Sequence, residues 1–421
     1  MHVIGQPSTE YISDETPMIP YSNLHVAFER MRILAKQDSA PANAEPPRVM
    51  VIGPENSGKT SACKILVNYA VRVGSRVCTP VLVNVDPGEG SFTVPGTLSA
   101  SVISMPIPTS TPANPFGNTA TSAPTALSSS ALVPMVFWYG HPDPKKNQPM
   151  MDQAMRNLAN AIEERMHLDP ITQNSGLYID TPSSFATAVR VGSEMKYPLI
   201  ERCVELFNVN VVLVIGHEKL NVEIQKIFSG SNYHRNVTVV KIPKSGGVVD
   251  LDYAYRTRIL SHQTRSYFYG PSVHVPDWLD PSAIGGEASI DLNLSPYSMT
   301  VKFGDIKIFR IGAESMAPSS ALPIGASRVI TELEPVAIDP SAPGLLHMVL
   351  ALLSSPSQGS AGKQEEDEGL SDEDLISSNV VGFILVAAVD TFKQRMTILS
   401  PNPGSLVGRT ALIGSYEWQD Q

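Results

Sequence analysis

Cysteine is scarce in this chain: Cys63, Cys78 and Cys203 are the only three in 421 residues. They lie far apart, with neither the paired spacing of a zinc site nor that of a disulfide framework, so buried free thiols in a reducing compartment are expected. Long apolar runs are missing too. No stretch of about eighteen apolar residues could cross a bilayer, and the opening MHVIGQPSTEYISDE lacks the basic and apolar regions of a signal peptide. The expectation is a soluble, intracellular protein with no membrane partner. Positive charge is also in deficit. With 31 Lys and Arg against 41 Asp and Glu, the net charge of -10 argues against a general nucleic-acid coat, whose affinity comes from neutralising phosphates. Of that charge, -6 sits in KQEEDEGLSDED (363–374), so a local basic site for an RNA end stays open. The nine histidines show no ligand spacing, and no nucleophile-histidine-acid set is visible.

What is present is strand-and-helix alternation. The first twenty residues alternate like an edge strand and lead into SNLHVAFERMRILAK. There Leu24, Phe28, Met31 and Leu34 or Ala35 recur at helical spacing behind Ser22 or Asn23 as N-cap. SAPANAEPP (39–47) is a linker. The runs RVMVIG, RVCTPVLVNVD, GLYIDT, VNVVLVIG and NVTVVKIP follow, the last three separated by helix-like stretches near 186–207 and 217–229. Near-continuous Val, Ile and Leu strands between helices predict a doubly wound, mostly parallel sheet covered on both faces. The expected division is a β remnant at 1–21, a helix and linker at 22–47, an α/β domain at 48–270 and a β-rich domain at 271–421. Two segments read as flexible: the Pro, Ser, Thr and Ala-rich 104–131 and the acidic 357–378, both too poor in large apolar groups to repay ordering entropy. Within the last domain, YSMTVKFGDIKIFRIG, VVGFILVAAVD, QRMTILSP and TALIGSYEW alternate with period two, while PGLLHMVLALL reads as a helix.

The strongest chemical signal is Gly53-Pro54-Glu55-Asn56-Ser57-Gly58-Lys59-Thr60, followed by Ser61, between a buried strand and a helix. This is the P-loop pattern. The glycine-rich turn aims backbone N–H groups at phosphates, the helix N-terminus adds its positive end, Lys59 reaches the outer phosphates and Thr60 ligates Mg²⁺. Two acids follow strands. Asp86 opens Asp86-Pro87-Gly88-Glu89-Gly90 and Asp180 opens Asp180-Thr181-Pro182-Ser183; at the carboxyl ends of strands both could face a nucleotide, holding Mg²⁺ or accepting a proton. Asp before Pro-Gly or Thr-Pro is equally good turn chemistry. Lys244-Ser245-Gly246-Gly247 is either a base-wrapping loop or a tight turn, and Arg256, Arg258 and Arg265 follow on a helix that either reaches a phosphate or is simply solvated. Trp138, Tyr139 and His141 fit a strand-end core cluster better than a base platform.

At GPENSGKT, VNVDPGEGSFTVPGTLSA, PKSGGVV and RSYFYG, in that order, the chain resembles the polynucleotide 5′-hydroxyl kinase family, and most closely its fungal Clp-type branch in pre-mRNA cleavage and polyadenylation. The resemblance implies a nuclear, ATP- and Mg²⁺-binding P-loop protein whose partners are a cleavage-factor scaffold subunit and other 3′-end processing proteins, with weak or indirect contact to pre-mRNA. It makes Gly58, Lys59 and Thr60 the triphosphate and Mg²⁺ ligands and places Lys244 and Ser245 near the base. Asp86 falls at the carboxylate of the DxGQ motif. Asp86 and Arg256 would be catalytic if the protein is active. Three departures point to lost transfer. Asp180-Thr-Pro-Ser183 stands where active members carry a Thr-x-Gly-Trp clasp, Leu260 stands at the second lid arginine, and Glu89 stands at the glutamine of the DxGQ motif. Most of the family's N-terminal β domain is not seen before Thr9 to Met18. The expectation is an ATP-binding structural subunit with little or no kinase activity; the alternative is an ATP-dependent RNA 5′-hydroxyl kinase.

Overall fold

A computed structural model describes residues 16–36, 44–73, 77–107, 133–191, 194–229, 236–270, 296–312, 333–341, 344–354 and 371–419. In chain order the elements of the first part are α1 (Met18–Ala35), β1 (Arg48–Ile52), α2 (Lys59–Val71), β2 (Val81–Asn84), β3 (Thr97–Val102), β4 (Met135–Trp138), α3 (Gln148–Leu168), α4 (Pro170–Ser175), β5 (Leu177–Asp180), β6 (Val189–Val191), β7 (Glu194–Lys196), α5 (Pro198–Leu206), β8 (Val211–Ile215), α6 (Glu218–Phe228), β9 (Thr238–Ile242) and α7 (Tyr253–Tyr269). Seven of these strands form one sheet in the order β4-β3-β2-β5-β1-β8-β9. From β2 to β9 every neighbouring pair is parallel, and β3 and β4 extend the sheet antiparallel. The mostly parallel, doubly wound sheet expected from the apolar runs is what forms.

Strand alternation divides its core into two layers. Val49 and Val51 join Ala62, Leu66, Tyr178, Leu213 and Ile215 beneath α1 and α2. Met50 and Ile52 face Val212, Val214 and the methionines of α3, Met150, Met151, Met155 and Met166. Helix α3, which the sequence reading passed over, supplies this face over 21 residues, with Asn147 capping its start through Met150 N.

The second part comprises β10 (Tyr297–Lys302), β11 (Ile306–Ile311), β12 (Pro335–Ala337), β13 (Met348–Leu353), α8 (Asp372–Ser377), β14 (Val380–Asp390), β15 (Arg395–Ser400) and β16 (Arg409–Glu417). Its sheet order is β10-β15-β14-β13-β16-β11-β12, antiparallel except for β11 and β16. This is the expected β-rich C-terminal part. It packs on the α3 side of the first sheet: Val349, Ala351, Phe383 and Leu385 belong to the same apolar cluster as Met50 and Ile52. Trp138 lies 5.9 Å from Phe383 between ring centroids, and Phe268 stacks on Trp418 at 5.9 Å. Gly414 and Gly140 approach so closely that a Cβ at position 414 would collide with the Gly140 backbone. The core reading of Trp138, Tyr139 and His141 holds, all three being buried. Cys63, Cys78 and Cys203 are buried and free.

Several local expectations are corrected. Helix α1 begins at Met18 behind Pro17, not at Ser22 or Asn23. Tyr21, buried with Phe28 and Arg32, already belongs to the inward stripe, and Pro20 falls in the first turn, where its missing N–H costs no hydrogen bond. The apolar run after Pro343 is strand β13, not a helix. Short apolar runs do not distinguish the two by periodicity, and His347 at φ 64° breaks any helix there. The stretch near 186–207 splits into the β6–β7 hairpin and α5, with Pro198 at the helix start. Most of the expected insertion 104–131 lies outside the described residues. Its leading edge is core: Ile107 is buried, and its backbone N and O both bond the Asn68 side chain, at 2.8 and 2.9 Å. Of the acidic tract 357–378, residues 357–370 lie outside the described residues, but Ser371 caps α8 in a capping box with Asp374, and Leu375 is buried. The expected strand before residue 16 also lies outside them.

Candidate nucleotide site

Ile52 ends β1, and the chain turns through Gly53 to Gly58 into α2. Gly53 has no room for a side chain, since a Cβ would lie 2.9 Å from both Ile215 O and Ser57 Oγ. Gly58 adopts φ 87°, a left-handed value that glycine tolerates freely, and serves as the α2 N-cap without a side-chain cap. The first N–H groups of α2 are thus left to an anion. Lys59 Nζ donates to Pro54 O at 3.0 Å, folding back over its own loop.

Three carboxylates gather at the carboxyl edge of the sheet beside Thr60. The Thr60 hydroxyl donates to Asp180 Oδ2 at 2.5 Å and lies 3.4 Å from Glu89 Oε2. Asp180 is 1% exposed, and its other oxygen, Oδ1, has no hydrogen-bond partner. Asp86 accepts from Gly88 N at 2.9 Å, so it makes the turn that its sequence suggests as well as facing the cluster. Burial, then Glu89 and Asp180, push Asp86 above the ordinary carboxylate range; burial, then Glu89, do the same to Asp180. Carboxylates crowded in this way call for a cation. Among the described residues no three His, Cys, Asp or Glu side chains are disposed to hold a metal by themselves. Mg²⁺ keeps several waters and takes one or two protein oxygens beside substrate phosphates. Thr60, Asp86 and the unpartnered oxygen of Asp180 are the groups that fit it.

The remaining expected residues divide. The loop of Lys244 and Ser245 closes over the P-loop: a Cβ on Gly58 would stand 3.0 Å from Val248, and Gly216 at the end of β8 abuts the Lys244 side chain. Lys244 Nζ stands 3.6 Å from Asp250, and Ser245 Oγ accepts from Gly247 N, so the turn reading holds alongside the position over the P-loop. Arg256 on α7 reaches the loop, pairing with Glu55 at 3.1 Å and bonding Asn56 Oδ1. Arg258 and Arg265 instead lie over the rings of Tyr255 and Tyr269 on their own helix. Ser61 is exposed in the first turn of α2. Ser183 starts a one-turn 3-10 helix whose aromatic, Phe185, is 1% exposed and turned into the core.

Two cations escaped the sequence reading. Lys64, in the fourth position after Thr60, is only 7% exposed; burial pulls its ammonium down to about 8, against the opposing effect of Asp180 and Glu89. Its i,i+4 relation to Thr60 was the available signal. Arg32 is buried beneath α1, donating to Ser175 O at 2.9 Å and Tyr178 Oη at 2.8 Å, and it locks α1 to the sheet.

A hydrogen-bonded path joins the acid loop to the second sheet. Gly96 N donates to Pro87 O, Tyr139 N and Gly140 N donate to Gly96 O, and Ser415 N donates to Gly140 O, all within 2.8–3.0 Å. His141 Nδ1 and Ser415 Oγ meet at 2.8 Å beside it.

A parallel sheet with this loop at its carboxyl edge defines a P-loop nucleotide-binding protein carrying a second, β-rich part. Residues 53–270 match the family described as mRNA cleavage and polyadenylation factor CLP1 P-loop, residues 294–420 match Pre-mRNA cleavage complex II protein Clp1, and residues 1–35 match the N-terminal beta-sandwich domain of polyadenylation factor. The chain belongs to the CLP1 family of mRNA cleavage and polyadenylation factors. It is 52% identical to mRNA cleavage and polyadenylation factor CLP1 of Laccaria bicolor, over 99% of this chain and 85% of that protein. It is 32% identical to Protein CLP1 homolog of Arabidopsis thaliana, over 98% and 80%. Among solved structures it is similar to a wild-type Clp1p-Pcf11p complex, with a TM-score of 0.69, 28% identity and coverage of 96% of this chain and 80% of that one. A second, at TM-score 0.69 and 27% identity over 95% and 80%, is described as an extended interface between Pcf11p and Clp1p with the structural basis for ATP loss in a glycine-to-arginine mutant.

Proposed function

We propose that this protein holds ATP with Mg²⁺ and acts as a nucleotide-bound scaffolding subunit in nuclear pre-mRNA 3′-end cleavage and polyadenylation, with little or no phosphoryl transfer. The observation that carries this reading is the Thr60–Asp180 hydrogen bond inside a buried carboxylate cluster, one residue beyond Lys59. Lys59 and the α2 N-terminus take the triphosphate, and Thr60, Asp86 and Asp180 hold Mg²⁺, which neutralises phosphate charge when bound. Lys244 and Ser245 flank the base, and Arg256 closes over the loop from α7. The partner is a scaffold subunit of the Pcf11 kind, since relatives of the same fold are described in complex with Pcf11p.

Transfer to a 5′-hydroxyl needs more. It requires a platform for the acceptor and charge stabilisation at the transferring group, both acting only in the transition state. Phe185 is buried away from the site and Leu260 offers no charge, so binding survives where transfer does not. The test is mass spectrometry of nucleotide co-purifying with the protein, together with an assay for labelled phosphate on a 5′-hydroxyl oligonucleotide. Retained ATP without labelling is expected. Labelling that Asp86→Asn abolishes would establish the kinase instead.

A further inference from the structure

Helix α7 is held at its far end by the second sheet. Trp418, just beyond β16, donates from Nε1 to Ser261 Oγ at 3.0 Å and stacks its ring on Phe268 at an interplanar angle of 12°. Tyr416 on β16 meets Thr264, Oη to Oγ1, at 2.7 Å, and Phe383 N on β14 donates to Tyr267 Oη at 3.1 Å. Thr264, Tyr267 and Phe268 are buried accordingly. The opposite end of the helix is exposed at Tyr253, Ala254, Tyr255, Thr257 and Arg258. Among them Arg256 reaches across to the P-loop, to Glu55 and Asn56.

Arg256 and Tyr267 lie about three turns apart on nearly the same side of the helix, so the held end and the reaching end act in one plane. From Arg256 to Phe268 the helix rises about 18 Å, and a tilt of about 5° at the buried end would carry Arg256 about 1.6 Å off its partners. A hydrogen bond does not survive such a displacement. The pair with Glu55 cannot set the tilt by itself, because an ion pair so open to solvent holds weakly. The second sheet sets it.

We propose that Tyr416 and Trp418 are positioning residues of the nucleotide site: they fix the tilt of α7, keep Arg256 on the loop and so slow the release of bound ATP. The inference rests on the reading above that ATP occupies the P-loop and Arg256 closes over it. Both side chains act through the helix, and neither contacts the nucleotide. By reciprocity, ATP held under Arg256 steadies β14 and β16 against α7.

The test is release of α-labelled ATP from the Mg²⁺-loaded full chain after a chase of unlabelled ATP. Trp418→Phe keeps a ring against Phe268 but removes the N–H donor, and Tyr416→Phe removes the hydroxyl. Combined, the two should speed release by about three- to tenfold, the scale of one or two hydrogen bonds. In an Arg256→Ala background, which itself releases ATP faster, the same pair should add nothing. Unchanged release in the folded pair overturns the proposal, and so does a further acceleration in the Arg256→Ala background, since a merely structural contribution would be additive. Hydrogen exchange of the wild type needs no variant to fold. ATP with Mg²⁺ should slow amide exchange in β14 and β16 by about threefold or more, and protection confined to the P-loop would also overturn the proposal. If the wild type binds no ATP, the nucleotide reading falls and this inference with it; ATP bound together with any of the other failures removes this inference alone.

Discussion

On the phosphate side of the P-loop, Gly58, Lys59 and Thr60 sit between β1 and α2 and face Asp86, Glu89 and Asp180. On the side where the family resemblance puts an acceptor, a 3-10 turn of Ser183 and Ser184 points its one aromatic ring inward, and Leu260 follows Arg256 by a single helical turn. The contrast teaches that holding and transferring a phosphate are separable. Ground-state contacts to a triphosphate use the loop and the carboxylates, whereas transfer depends on groups that bind only the transition state. One half can persist while the other is lost.

The comparison breaks most directly at Lys59. Lys59→Ala should weaken ATP binding by about 100-fold or more, and at saturating ATP it should forfeit about 2.7 kcal/mol of the stability that a ligand at a hundred times its dissociation constant supplies. Calorimetry and thermal melts check both; an unchanged affinity would remove the phosphate side from the argument.

A pH series comes next. Asp86 and Asp180 are both raised in the fold, so above about pH 4 the native state keeps protons that the unfolded chain has released. With more protons on the native state, stability must fall as pH rises, by about 1.4 kcal/mol per pH unit for each such proton. Urea midpoints of the nucleotide-free protein should therefore decline from about pH 5 upward, and Mg²⁺ with ATP should flatten the decline. A rising midpoint over that range would contradict the crowded-carboxylate account.

The smallest effect is expected at the lid. Arg256→Ala removes the contacts to Glu55 and Asn56 and should lower ATP affinity by about three- to tenfold, measured by the same calorimetry. A loss as large as that of Lys59→Ala would make α7 part of the phosphate side.

The parallel sheet was legible because RVMVIG and VNVVLVIG are short, nearly continuous apolar runs closed by glycine, a pattern that strands buried on both faces must have. The P-loop was legible because its spacing is set by backbone geometry. PGLLHMVLALL misled for the converse reason: buried helix and buried strand share that composition, and only the pairing with β14 and β16 decides between them. Within the site, Asp86 and Asp180 could be placed at strand ends, but their closeness depends on β2 and β5 being neighbours, which is a fact of sheet order. Lys64 was hidden for a related reason. A lysine in a helix reads as solvated until the packing of the strands beside it is known.

The stacked rings of Phe268 and Trp418, with Gly140 pressed on Gly414, bear on how the molecule can be taken apart. A cut near residue 270 would follow the family boundary but would strip Trp138, Tyr267 and Phe268 of their cover and remove the Ser415 N–H that anchors Gly140 O, the far end of the path that runs from Pro87 through Gly96. Expression as fragments would then yield insoluble pieces, one of them with a slackened acid loop. The two sheets are for practical purposes a single part, to be expressed and handled together.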